Sequence, residues 1–253
     1  MREKKRTYAR PRVIRGTQVK PLPLLPSGPG GVCSRPLHEA RSLTTTYVIT
    51  KAVVKALIFD LGGTIVPFDF RRGYAAMEPL CAYPAAEIPK RIRSTDLVRR
   101  YESGQIASEL FVEELCRVLE LRVTYQQFCD LWTAIFLPEP LIPEALFARL
   151  KSRYPLVLLS NTNDIHFRMI RRSYPLLDHF DHFVLSYEVG ALKPSARIYE
   201  EAVARAGCRP EECFFTDDLD PYVEGARKVG LDAVRFESYR QLESELRDRA
   251  ILY

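Results

Sequence analysis

The sequence contains no run of about 20 apolar residues, the length needed to span a bilayer, so no membrane-spanning helix is expected. Cysteine is sparse: six among 253 residues, at Cys33, Cys81, Cys116, Cys129, Cys208 and Cys213, with no Cys-x-x-Cys pair. That spacing argues against a disulfide framework or a structural zinc and for reduced thiols in a cytoplasmic setting. The apolar stretch at 22–25 is too short and too broken by proline to serve as the core of a secretory signal. The body of the chain also lacks an excess of positive charge. Residues 1–50 hold ten Lys/Arg against two Asp/Glu, which leaves 27 against 30 for the remainder. The net +5 therefore belongs to the N-terminal stretch, and neither nucleic acid nor a membrane surface is an expected partner. One further absence bears on chemistry. Position 62 is glycine, two residues after Asp60, where a second carboxylate would supply acid–base help.

What is present fits an ordinary globular protein, with 47% hydrophobic and 27% charged residues. Residues 1–50 show neither helical nor strand periodicity and are punctuated by Pro21, Pro23, Pro26 and Pro29. A basic, proline-rich disordered tail is expected there, or else translation starting downstream.

Four later segments carry the chemistry. In Ala56-Leu-Ile-Phe-Asp-Leu-Gly-Gly-Thr-Ile-Val66, a short apolar run bounded by glycine predicts a strand buried on both faces, ending at Asp60. A carboxylate at the carboxyl end of such a strand lies where open α/β sheets bind ligands. It can act there as nucleophile, metal ligand or both. The second segment, Tyr154-Pro-Leu-Val-Leu-Leu-Ser-Asn-Thr-Asn163, is another apolar strand, closing on Ser160 and Asn161. Its hydroxyl and backbone N–H groups suit an anion, although a plain helix cap reads equally well. In the third, Lys193 precedes Pro194, and proline pre-sets a first helical turn. A lysine fixed at that point aims a positive charge into a site. The fourth, Glu212-Cys-Phe-Phe-Thr-Asp-Asp218, ends a strand in adjacent carboxylates that repel unless a hard cation offsets them.

In this order and spacing the segments resemble the four motifs of the haloacid-dehalogenase-like phosphohydrolase superfamily, with Asp60, Ser160, Lys193 and Asp217/Asp218 at the motif positions. The likeness covers about residues 53–240. It is nearest the α-D-glucose-1-phosphate phosphatase group, which shares the stretches around Tyr101-Glu-Ser-Gly-Gln-Ile106, Tyr125-Gln-Gln-Phe128, His166, Leu192 to Tyr199 and Val223-Glu-Gly-Ala226, and carries glycine at the position of Gly62. The resemblance implies an α/β fold: a three-layer Rossmann-like core around a parallel sheet, formed by residues 51–66 and 140–253, with a helical-bundle cap inserted at 67–139. It implies hydrolysis of a phosphomonoester, such as a sugar phosphate of the glucose 1-phosphate kind, through an aspartyl-phosphate on Asp60. Mg2+ would be held by Asp60, the Gly62 carbonyl, Asp218 and Asp217. Ser160, the Asn161 backbone N–H and Lys193 would face the phosphate oxygens. A monomer or weak homodimer is expected.

Helical patterns recur inside the insert at 75–80, 86–101, 108–119 and 125–136, with Leu110, Phe111, Leu115 and Val118 as one apolar face. Trp132 reads as cap core. His179 and His182 are spaced like metal ligands, but their alternation with Phe180 and Phe183 reads as a strand lead-in. Two departures from the family pattern stand out. Without a carboxylate at Gly62, either the leaving group is good or Asp69, His166 or Glu102 substitutes. Tyr222 stands where Asn or Asp is common, with Asp220 as a possible compensator. A catalytically weak or non-enzymatic binding protein on the same fold is the rival reading. Hydrolytic dehalogenation is a second rival, but it needs no metal, and the Asp217–Asp218 pair argues against it.

Overall fold

In the computed structural model, residues 52–253 are described; the basic tail expected at 1–50 lies outside them. Five parallel strands form one sheet in the order β3-β2-β1-β4-β5: β1 Ala56–Phe59, β2 Leu156–Ser160, β3 His182–Leu185, β4 Cys213–Asp217 and β5 Asp232–Arg235. The inner strands read as unbroken apolar runs because both faces are covered. Alternate side chains go to opposite cores. Leu57, Phe59, Leu156, Leu158 and Phe214 point into one cluster, while Ala56, Ile58, Val157, Leu159 and Phe215 point into the other. The first cluster is closed by α6 (Glu144–Lys151), α7 (Asp164–Ser173) and α11 (Tyr239–Asp248), through Phe147, Ile170 and Leu246. After β3 the chain makes one helical turn, α8 (Ser186–Val189), and the second cluster is closed by α9 (Ala196–Ala206) and α10 (Asp220–Val229), through Ile198, Tyr199 and Ala226. Each fully buried Leu, Ile or Phe contributes about 1.5–3 kcal/mol, so this three-layer packing fixes the sheet firmly.

Register places the motif residues on one edge. Phe59 pairs with Leu158 on one side and Thr216 on the other, so Asp60, Ser160 and Asp217 emerge together at the carboxyl ends of three adjacent strands.

Between β1 and β2 the chain builds a third cluster from α1 (Phe70–Met77), α2 (Ile88–Arg93), α3 (Leu97–Glu102), α4 (Ser108–Leu119) and α5 (Tyr125–Thr133). Its two crossings to the core run side by side, joined by an antiparallel bridge between Phe68 and Phe136 and by bonds from Asp69 N to the Ile135 carbonyl and Leu137 N to the Pro67 carbonyl. Three details differ from the periodicity. The helix expected over 75–80 runs Phe70–Met77 instead, because the Asp69 side chain caps it five residues earlier. The helix expected over 86–101 is split in two, because Ser94 and Thr95 turn their hydroxyls onto the carbonyls of Arg91 and Ile92. Such local bonds compete with the helical ladder. On α4 the buried face is Phe111, Val112, Leu115 and Leu119, whereas Leu110 is exposed. The stripe is rotated because Phe111 stacks on Tyr101 and meets Trp132 edge-on. Trp132 lies in this core as expected. His182 opens β3, and His179 ends the short 3-10 turn before it, its ring bonded to Glu144.

Candidate active site

Asp60 follows β1 directly, and its N–H is tied to the Thr216 carbonyl on β4 at 3.0 Å. Beside it lies Lys193, almost wholly buried, whose Nζ donates to Asp60 Oδ1 at 2.6 Å and to Asp217 Oδ2 at 2.5 Å. A buried ammonium is tolerated only with such partners. Burial alone would depress the lysine, but the two carboxylates more than reverse this and hold it above its ordinary value. Asp60 moves the other way. Burial, opposed by Lys193 and aided by the Asp217 charge, pushes its carboxyl above the ordinary carboxylate range. Asp218 is half-buried and is likewise raised, by burial and by Asp217. Carboxylate oxygens of Asp60, Asp217 and Asp218 lie within 4.8 Å of one another. Three carboxylates against one ammonium leave a surplus of negative charge, and a hard divalent cation relieves it. The oxygen donors present therefore fit Mg2+.

The approach of Asp218 depends on Gly63. It has φ +84°, and a Cβ there would fall 2.5 Å from Asp218 Oδ2. Paired glycines after a strand are the usual mark of such a turn. Gly62, where the carboxylate is missing, backs onto the Phe68 ring.

Lys193 is aimed by a device the sequence did not announce. The Asn161 side chain faces Lys193: Oδ1 accepts from Lys193 N at 2.8 Å and Nδ2 donates to the Lys193 carbonyl at 3.1 Å. The same Nδ2 donates to the Tyr222 hydroxyl at 3.3 Å, and the Tyr222 ring lies 4.9 Å from the lysine ammonium. Tyr222 thus supports Lys193 where an Asn or Asp was expected to do so. Asp220 does not compensate, since it is exposed and paired with Arg235 at 3.0 Å. The helix after Pro194 begins later than proline placement suggested. A turn closed by Ser195 N to the Leu192 carbonyl comes first, and α9 starts at Ala196. Ser160 is buried at the end of β2 and lines a small cavity of about 110 Å³ together with Gly62, Asn161 and Glu102.

Of the three substitutes for the missing carboxylate, two are already engaged. Asp69 caps α1, accepting from Arg71 N at 3.0 Å and from the Arg71 guanidinium. His166 is buried with both ring nitrogens in contact, Nδ1 with Asn163 Nδ2 and Nε2 with the Trp132 carbonyl. Burial lowers its pKa to about 4, so it stays neutral and joins α7 to α5. Glu102 differs, because its carboxyl has no hydrogen-bond or ion-pair partner among the described residues. It lines both the small cavity and a larger one of about 570 Å³ that reaches Asn161, Lys193 and Tyr222. The larger cavity is walled mostly by apolar groups such as Phe70, Met77, Val98 and Ile135.

The haloacid dehalogenase-like hydrolase family matches residues 54–230, more than half of the sequence. The chain belongs to that family. A D-ribitol-5-phosphate phosphatase from Bacteroides thetaiotaomicron is 24% identical over 200 residues, covering 77% of this chain and 97% of the relative. A glyceraldehyde 3-phosphate phosphatase from Methanopyrus kandleri is 26% identical, covering 78% and 89%. A family enzyme from Bacteroides thetaiotaomicron, solved with magnesium and inorganic phosphate, superposes with a TM-score of 0.67 at 26% identity, over 73% of this chain and 95% of its own. The expected α/β fold with a parallel sheet and the expected enzyme class, a phosphatase of this hydrolase family, are thereby borne out. The described residues contain no helix long and apolar enough to cross a membrane.

Proposed function

We propose that this family member hydrolyses small phosphorylated metabolites, sugar or polyol phosphates among them, in a Mg2+-dependent reaction through an aspartyl-phosphate on Asp60. The observation that carries the reading is the cluster itself: Lys193 clamped between Asp60 and Asp217, with Asp218 within 4.8 Å of the same carboxylates. Asp60 attacks phosphorus while Lys193, the Ser160 hydroxyl and the Asn161 backbone N–H neutralise the phosphate oxygens. Lys193 gives two of its three donors to the carboxylates and the third, in a longer bond of 3.3 Å, to the Leu159 carbonyl; that third donor is the one that turns to the substrate. Such work is positioning and electrostatics more than bond chemistry by the protein. Mg2+ would be held by Asp60, Asp218, the Gly62 carbonyl and Asp217, where it supplies positive charge against the phosphate. Its fit is supported by the all-oxygen donor set.

The relatives named for ribitol 5-phosphate and glyceraldehyde 3-phosphate favour a primary alkyl phosphomonoester; glucose 1-phosphate, whose anomeric oxygen is the better leaving group, is the other sugar phosphate to test. The cap helices at 67–139 form the lid over this substrate. Free thiols on the described cysteines suit a reducing compartment such as the cytoplasm.

Phosphate release by the full chain, measured over a panel of sugar and polyol phosphates, tests the reading. Turnover should need Mg2+, stop on chelation, and fall by roughly 10⁴–10⁶-fold in Asp60→Asn, as loss of a covalent nucleophile does. Activity that survives chelation or that substitution overturns it.

A further inference from the structure

The cap segment beginning at Tyr101 is bolted to the core at three successive points. The Ile165 N–H donates to the Tyr101 hydroxyl at 3.1 Å, and that hydroxyl meets Ser108 Oγ at 2.7 Å, which in turn donates to Asp164. Ser186 Oγ donates to the Glu102 carbonyl at 2.6 Å while accepting from Thr162 N at 3.0 Å. Gly104, at φ +68°, lies so close to Tyr187 that any Cβ would run into the Tyr187 carbonyl oxygen. Thr162 belongs to the loop that carries Ser160 and Asn161. The backbone of Glu102 is therefore fixed relative to the phosphate-binding loop, although it is part of a cap helix.

Its side chain is the free one. Glu102 lines the small cavity with Gly62 and Ser160, and the larger one with Lys193. Asp69 and His166 have both been spoken for by structural bonds. We propose that Glu102, held over the phosphate loop by Ser186, is the acid–base residue that replaces the carboxylate missing at Gly62. This assignment rests on the phosphatase reading above. Crowding by protein on most sides also pushes the Glu102 carboxyl up to about 7, which suits a group that must both give and take a proton near neutrality.

In the first step the Asp60 carboxylate attacks phosphorus and the ester P–O bond breaks. Its electron pair goes to the leaving oxygen, which takes the proton of the Glu102 carboxyl. In the second, the Glu102 carboxylate takes a proton from water as the water oxygen attacks the aspartyl-phosphate. The P–O bond to Asp60 then breaks, releasing inorganic phosphate and restoring both carboxyl groups.

A leaving group that needs no proton makes the test. In the full chain with Mg2+, Glu102→Gln should lower kcat/KM for ribitol 5-phosphate by about 10²–10⁴-fold, the usual weight of a general acid. On p-nitrophenyl phosphate the first step should change less than about tenfold, because nitrophenolate leaves unprotonated. Slow second-step hydrolysis should then appear as a burst of nitrophenolate. Glu102→Asp, which keeps a carboxyl, should recover part of the ribitol 5-phosphate rate. Equal losses on both substrates, an unchanged rate, or a rise in KM alone would overturn the assignment while leaving the phosphatase reading intact. Absence of turnover by the unaltered protein on either substrate would instead defeat the phosphatase reading, and this assignment with it.

Discussion

The two sides of the substrate space are built on opposite principles. At the sheet edge, Asp60, Lys193, Asp217 and Asp218 crowd charge into a largely buried volume, and the strands that deliver the carboxylates are pinned by two layers of apolar packing. Across from it, the cap offers a broad wall of Phe70, Met77, Val98 and Ile135, interrupted by Arg93, Arg99 and the carboxylic acid Glu102. In the proposed reaction the first region meets one chemical group, the phosphoryl group, whose charge is the same in every substrate. The second meets whatever the phosphate is attached to, and its apolar part discriminates weakly between such groups. A site divided in this way keeps one reaction while varying its leaving group.

The division can be broken from the charged side first. Lys193→Met should cut kcat by roughly 10²–10³-fold, the loss typical of one oriented charge donor. It should also destabilise the fold by about 3–5 kcal/mol, because Asp60 and Asp217 lose their buried counter-charge. Thermal unfolding with Mg2+ and with chelator separates the two roles. The loss of Tm should be smaller with Mg2+, and equal losses in both media would mean that no cation enters the carboxylate cluster. From the cap side the effect is smaller. Gly104→Ala forces a side chain into a left-handed backbone against Tyr187, at a cost of about 1–3 kcal/mol. Its kcat/KM for an alkyl phosphate should fall while Asp60 still becomes phosphorylated by p-nitrophenyl phosphate. Loss of both would show that the clamp supports the whole sheet edge.

The smallest effect belongs to the opposite end of β4. Glu212 accepts from Arg209 N at 3.0 Å and pairs with Arg209 and Lys55, which hold its carboxyl down at about 2. A depressed carboxylate stabilises the fold above its ordinary value of 4.5, and that contribution fades as pH falls toward 2. Glu212→Gln should therefore lower Tm modestly at neutral pH. The curves of variant and parent should converge in acid, with kcat unchanged throughout.

The charged side was also the legible one. Asp60, Ser160 and Asp217 each end an apolar run, and a polar residue closing a buried strand is a local pattern that a sheet edge then gathers. Lys193 was readable as a charge beside a proline, but not its manner of support. The Asn161 side chain reaches it from 32 residues away in sequence, and the Tyr222 ring covers it from α10. Those contacts arise only when β2, the turn after it and α10 converge. In the cap, periodicity located the helices but misjudged the buried face of α4, since the inward direction is decided by Tyr101 and Trp132 on other helices. Tyr101, Glu102 and Gly104 stood out together as a motif, yet their separate tasks became distinguishable only with Ile165, Ser186 and Tyr187 in place.

The central claim is that Asp60 carries the phosphoryl group between substrate and water. Turnover of p-nitrophenyl phosphate with Mg2+, quenched in acid within the steady state and reduced with borohydride, converts an aspartyl-phosphate to homoserine. Peptide mass spectrometry should find that conversion at position 60 and nowhere else, and not at all in Asp60→Asn. Reduction at another carboxylate, or continuing turnover with position 60 unmodified, would contradict the account.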